Sequence, residues 1–458
     1  MKKKTMSLLT GLVVMAALAG CGRATSLSPN AGNAPGGSVA GNLVSNAAGG
    51  QTAVADNGAS GNLTSEQAGG GTAGGTVNSS APGTAEPSDA GGSAPGETAG
   101  PSGGVAVPAE MPLSDMDLEG LDAVSFADGT TGFVAGKSGI LRTRDGGRTW
   151  AQVYVCPDPI LGIDAKRPPQ DKAQGGQTDG RVNVWAYTYT YLLASTDGRY
   201  FTRVNVPGLG QGHITSLSAL PDAGVWLAAG GAVYVSDPMN GALQKRSPAG
   251  AAVTEVAAVS DDVAYAAAGR SVYRTTDAGR HWTKVFTAQL RQEDDLGVWQ
   301  PRLVAAGNDV WVMFYGGGAG MSQVAYVIYH SGDGSHFTPV AYEGTFQGLY
   351  PSIQLPPKAN IGAQPGPMQA LSGGRAVFLG WEPRGFGDSV LMTATPDGGK
   401  SLQTQPVKTA DSQAPDFFSG IALSFTDPAH GWIAGTTMDK KPVVLKTTDG
   451  GRSWTPVP

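Results

Sequence analysis

From Ala123 onward the chain is written in short runs of period two. Ala123–Phe126 alternates, Gly132-Phe133-Val134-Ala135-Gly136 follows, Ile140–Thr143 leads into a polar turn and Trp150–Val153 leads out of it. Runs of this length, bounded by glycine and rich in β-branched or aromatic residues, predict strands. Four in succession with tight connections predict a four-stranded antiparallel unit. The same order closes the chain, as Ile421–Phe425, Gly431-Trp432-Ile433-Ala434-Gly435, Val443–Lys446 and Trp454–Val457. Between these ends lie Gly224–Ala228, Val263–Ala267, Asp309–Met313 and Arg375–Gly380, each read as one strand of a similar unit. No segment longer than ten residues carries a helical period, so the fold class is all-β.

The polar turn recurs. Thr143-Arg144-Asp145-Gly146-Gly147-Arg148-Thr149-Trp150 returns around Asp277, Gly279 and Trp282, and again around Asp449, Gly451 and Trp454. Shorter copies sit at Asp197 and Asp333. Degenerate ones sit at Asp237 and at Asp397, where Leu402 replaces the aromatic residue. Seven copies spaced by 52, 40, 40, 56, 64 and 52 residues have the period of four strands plus loops, which predicts a seven-bladed β-propeller. The aspartate and the Ser/Thr hydroxyl are expected to satisfy turn backbone, and glycine to supply positive φ. The aromatic residue is expected to lie between blades.

The pattern Ser/Thr-x-Asp-x-Gly-x-x-Trp resembles the Asp-box, or BNR repeat, found in sialidases and other β-propellers. With the added Gly-(Phe/Trp)-x-Ala-Gly element it looks most like the photosynthesis-system-II assembly-factor propellers, the Ycf48-like family. That resemblance spans roughly residues 118–457 and implies a role in assembling a membrane complex.

The segment before residue 115 has a different character. All 34 aromatic residues lie at or after Phe126. Lys2, Lys3 and Lys4 precede a short apolar stretch, Leu8–Leu18, and then Leu18-Ala19-Gly20-Cys21. This reads as an export signal rather than a membrane span. It resembles the lipobox of bacterial lipoproteins, which implies cleavage before Cys21 and acyl chains on that residue, enough for stable anchoring. Residues 24–110 hold 20 glycines and no lysine or arginine, too little apolar surface to offset chain entropy. The expected organisation is a signal peptide over 1–20, a lipidated disordered tether over 21–110 and a propeller over 115–458. The tether has a root-mean-square span of about 50 Å. The expected location is the extracytoplasmic face of a cell membrane, with a monomeric chain.

Charge and chemistry narrow the function. A net charge of -6 argues against nucleic acid as partner. The five histidines show no metal-ligand spacing, the Gly316–Gly320 run lacks the lysine of a phosphate loop, and no cofactor is expected. A sialidase of this architecture needs an arginine triad with an Arg-Ile-Pro type signature in the first blade, which is missing, and Arg142, Arg144 and Arg148 flank the Asp-box instead. A generic glycosidase needs only two carboxylates about 5 to 9 Å apart, and Asp294 with Glu382 is the pair considered. With strands A to D numbered from the inside, the long segments 154–180, 286–299, 341–365 and 403–418 are read as D–A crossovers. Segments 314–325, 381–389 and 436–442 are read as B–C loops. That would put all large length variation on the face opposite the Asp-boxes, and long loops on a rigid scaffold carry binding surfaces. The candidate binding residues there are Tyr342, Phe346, Trp381, Glu382, Arg384, Phe386 and Asp294. The reading is a surface-anchored, non-catalytic binding or assembly module for an envelope protein or glycan. The alternative is a glycoside hydrolase with a non-standard catalytic set.

Overall fold

The computed structural model describes residues 109–169, 181–237, 241–290, 299–316, 324–343, 361–382, 389–409, 417–437 and 439–458. The export signal, Cys21 and the tether lie outside them. Seven antiparallel sheets of four strands follow one another along the chain. They form blades 1 to 7: Ala123–Tyr154, Gly162–Asn205, Ile214–Lys245, Glu255–Thr287, Gln300–Glu343, Gln364–Pro406 and Phe417–Pro456. The only helix among the described residues is one 3-10 turn, Leu113–Asp115. Each strand A packs beside the strand A of the next blade, and the first packs beside the last. The protein is an all-β, seven-bladed β-propeller.

Sequence periodicity follows from place in the blade. Strands B are buried on both faces and read as apolar runs, such as Val225–Ala229 and Gly132–Gly136. Strands D face solvent and read as polar, as Thr202–Asn205 and Gln403–Pro406 do. The core consists of seven hydrophobic clusters, one per blade junction. Blades 7 and 1, for example, share Phe126, Val134, Trp150, Trp432 and Val444, and blades 3 and 4 share Trp226, Val233, Val256 and Ala266.

Blade 7 owns all four of its strands, so the ring closes by side-chain contact and not by a shared sheet. Trp432 stacks on Phe126 with ring centroids 3.7 Å apart, and its indole N–H donates to the Gly146 carbonyl at 3.3 Å. The Phe126 amide donates to Ser424 Oγ, and the Leu121 amide to Thr436 Oγ1, both at 2.9 Å. The entering chain adds a latch. Met111 bridges Trp150 of blade 1, and the Leu113 amide bonds the carbonyl of Pro458 at 2.7 Å.

Several sequence boundaries need correction. Segment 154–180 is not one crossover. Gly162–Lys166 is strand A of blade 2, so the crossover is only 155–161, and strands A and B of this blade are joined from their Asp-box-side ends, at Lys166 and Asn183. Length variation is therefore not confined to one face. This strand was hidden because its Asp164 and Lys166 face a solvated channel while Ile163 and Ala165 are buried, so it reads as a charged loop. Strand D of blade 5 runs through Glu343, which places Tyr342 in a strand, and strand B of blade 6 runs through Glu382, which places Trp381 and Glu382 in a strand. Gln403–Pro406 is likewise strand D of blade 6 and not part of a crossover.

Candidate functional site at the mouth of the central channel

The seven strands A enclose an open channel of about 760 Å³. Its polar side chains form a ring of bonds, each reaching from one blade to the backbone of the next. Ser125 Oγ accepts from the Ala165 amide at 2.9 Å and Asp164 Oδ2 from the Ala219 amide at 2.9 Å. Ser218 Oγ accepts from the Ala258 amide at 3.0 Å. The carboxylate of Glu255 accepts from the Leu303 amide, and Arg302 Nη1 donates to the Gly366 carbonyl. Gln369 makes a two-point contact with the backbone of Phe425, at 2.7 and 2.8 Å. Ser424 completes the circuit at Phe126. Inner strands have no sheet neighbour on their inward edge, so these bonds pair donors and acceptors that the ladder leaves open.

The two ends of the channel differ. On the Asp-box side, Lys166 pairs with Asp164 at 2.8 Å, and Arg167 pairs with Asp128 at 2.5 Å. On the crossover side stand Asp122, Glu255 and two tyrosines, Tyr187 from blade 2 and Tyr315 from blade 5. The Arg302 guanidinium lies 5.3 Å from the Tyr315 ring centroid. Tyr187 belongs to strand B and reaches the channel only because strand A has Gly162 opposite it. A Cβ at Gly162 would sit 2.3 Å from the tyrosine ring. The phenol then donates to the Thr215 carbonyl of blade 3 at 3.4 Å.

The edge of Glu255 meets the channel, so the residue is half-buried by surface area. Protein nevertheless encloses it, and this burial pushes its carboxyl up to about 7 against the pull of Arg302, Ser216 and the Leu303 amide. Burial also raises Asp122, opposed by Lys137. No group of three His, Cys, Asp or Glu among the described residues is arranged to hold a metal ion.

The recurring turns are hydrogen-bonded as a unit. At Asp145, one carboxylate oxygen accepts from Thr143 Oγ1 at 2.8 Å and from the Thr149 amide at 3.0 Å. Thr143 Oγ1 in turn accepts from the Gly147 amide at 2.8 Å. Asp449 and Gly451 repeat this geometry, and so do Asp277 with Gly279. The turn at Asp397 is equally complete despite its missing aromatic residue. At Asp197 and Asp333 the turn is one residue shorter, and the carboxylate accepts from amides two and three residues on. Asp237 departs from the set: it accepts from Gln244 Nε2 at 2.6 Å, while Ser236 Oγ accepts from the Val225 amide of strand B. Hydrogen-bond donors hold the carboxyls of Asp145, Asp197, Asp277, Asp333, Asp397 and Asp449 below the usual range, led by backbone amides at Asp145, Asp197 and Asp277, by the His336 ring at Asp333, and by the Ser401 and Ser453 hydroxyls at Asp397 and Asp449. Burial is the largest, opposing effect at Asp145, Asp197 and Asp449. Trp150 and Trp454 are fully buried, and Trp282 is half-buried with its indole N–H on the Arg246 carbonyl at 2.6 Å.

Of the candidate binding residues, the described aromatic ones lie at two different blade junctions. Tyr342 packs against the cluster between blades 4 and 5. Trp381 packs against the cluster between blades 6 and 7. Glu382 is half-buried at the end of its strand. Phe346, Arg384, Phe386 and Asp294 lie outside the described residues. Sequence reasoning missed Glu255, Arg302 and Tyr187. A charged position within an otherwise apolar inner strand is the signal that marks Glu255 and Arg302, and Tyr187 carries no such local signal. It also missed Tyr189 and His213, exposed on the crossover face and in edge-to-face contact at 5.5 Å. Cys156 is free and buried, with its sulfur 3.1 Å from the Tyr191 hydroxyl.

Comparison with protein-family profiles and with curated proteins gives no match. Solved structures do resemble the chain. YCF48 bound to D1 peptide is 15% identical, with a TM-score of 0.34 over 73% of this chain and 81% of that one. YCF48 from Cyanidioschyzon merolae is 13% identical, with a TM-score of 0.32 over 77% and 88%. An ancestral GH74 enzyme is 12% identical, with a TM-score of 0.47 over 77% of this chain and 56% of that one. At such identities the likeness extends to the fold alone. No helix among the described residues is long and apolar enough to cross a membrane.

Proposed function

We propose that the chain is a non-catalytic binding or assembly module, anchored outside the cytoplasm by lipid on Cys21, which recognises an envelope protein or glycan at the crossover-side mouth of its channel. The supporting observation is the ring of blade-to-blade bonds. Asp164, one of the channel's acids, is committed to the Ala219 amide of the next blade, and the Glu255 carboxylate faces the Leu303 amide of its own neighbour. Carboxylates fixed this way hold the scaffold together and do not converge on a reacting atom. The membrane-complex role of YCF48-like proteins fits this reading by analogy of fold. Glycoside hydrolysis is the second reading. Glu255 favours it, because a carboxyl raised to about 7 has the pKa of a general acid.

The test is a hydrogen-exchange footprint of the full chain, mixed with a detergent extract of the native envelope. Slowed exchange is expected in the crossover-side segments 155–161, 188–190 and 206–213. Protection confined to the turns 144–150, 276–282 and 448–454 would refute the assignment of the binding face.

A further inference from the structure

Resting on the binding-module reading, we propose that the blade 2–3 corner of the channel mouth is a carbohydrate subsite, which stacks one sugar ring of a neutral oligosaccharide on Tyr189. Tyr189 is one of only three large hydrophobic residues exposed among the described residues, 42% open to solvent. Its exposure is built into the turn. Thr188 Oγ1 accepts from the amides of Thr190 and Tyr191, both at 3.3 Å. The Thr188 amide bonds the Tyr191 carbonyl at 3.0 Å, and the Ile214 amide bonds the carbonyl of Tyr189 itself at 2.8 Å. The His213 ring props the phenol in an edge-to-face contact, with an interplanar angle of 71°. An aromatic ring pinned in this way has little freedom left to lose on binding.

The surroundings choose the ligand. Two residues earlier in the chain, Tyr187 turns its ring over Gly162 into the channel, so the same B–C corner supplies one aromatic ring to the channel and one to the crossover face. Thr190 and Gln211, exposed and within two residues of Tyr189 and His213 in the chain, add hydroxyl and amide groups to this face. A sugar ring offers an apolar face of C–H bonds and a rim of hydroxyls, which is the complement of an aromatic ring bordered by polar groups. A protein hot spot needs a desolvated apolar pocket, and the crossover segment here offers Gly208, Gly210 and Gly212 instead. A polyanion needs a uniformly cationic field, whereas the mouth holds Asp122 and Glu255 against Arg302.

Chitotetraose, cellotetraose and mannotetraose titrated calorimetrically into the full chain test this. Saturable binding of at least one is expected. Tyr189→Ala should weaken it about tenfold or more, while Tyr189→Phe and Tyr189→Trp keep it within about threefold, since the ring face and not the hydroxyl makes the contact. Thermal unfolding should be the same for all three variants, because the side chain is not in the core. No saturable binding of any tetrasaccharide, or binding unchanged in Tyr189→Ala, overturns the proposal. If no sugar binds but the envelope extract still protects the crossover face, the sugar assignment fails and the binding-module reading stands. Protection on the opposite face overturns both.

Discussion

Replacing Trp432 with alanine is expected to cost about 3 to 5 kcal/mol of stability, measured by guanidinium unfolding of the full chain. Trp432 is fully buried, stacked on Phe126 of blade 1 and bonded to the Gly146 carbonyl. Because no strand is shared between the first and last blades, this cluster does what a shared sheet would otherwise do. Alanine leaves a cavity at the seam and orphans the contacts of Phe126. A loss comparable to the whole margin of an ordinary domain, about 5 to 15 kcal/mol, would open the ring. A cost under about 1 kcal/mol would show that the latch at Met111 and Pro458 closes the ring without the tryptophan.

Gly334→Ala is the second large effect. Gly334 has φ of +73°, and a Cβ there would lie 1.9 Å from the hydroxyl of Tyr265, a fully buried residue of the preceding blade. Backbone strain of about 1 to 2 kcal/mol adds to about 1 to 3 kcal/mol of overpacking. Gly307 is the internal control, with φ of +62° and open space around its Cβ position. Gly307→Ala should show the strain alone, about 1 to 2 kcal/mol. Equal costs at the two positions would mean that the glycine of the recurring turn is there for its φ and not for blade docking.

That pair also shows what the sequence disclosed and what it withheld. The turn aspartates, their spacing and the strand runs were legible because each depends on contacts within a few residues. The strands Ala123–Phe126 and Gly132–Gly136 lie where alternation placed them. Part of the reason for the Gly-(Phe/Trp)-x-Ala-Gly element needed the register: Gly132 pairs with Phe126, whose ring occupies the space of the absent side chain. Strand A of blade 2 was illegible because an inner strand faces a wet channel, so polarity there does not mean loop. Tyr187 and Tyr189 were equally hidden. Tyr187 becomes a channel residue through Gly162, 25 positions earlier, and nothing local marks that pairing. Trp381 and Tyr342 drew attention as aromatic residues near long segments, yet both pack on inter-blade clusters.

The central claim is that Glu255 serves the scaffold and not a reaction, and Glu255→Gln tests it most directly. Glutamine keeps an oxygen that can accept from the Leu303 amide but cannot donate an acid's proton to a leaving group. The measurement is hydrolysis of aryl glycosides and of cello- and chito-oligosaccharides by the full chain and by this variant, with melting temperatures recorded alongside. The account predicts no turnover above buffer by either protein and closely similar melting. Turnover by the unaltered chain that disappears in a well-folded Glu255→Gln variant would contradict it and make Glu255 a catalytic acid.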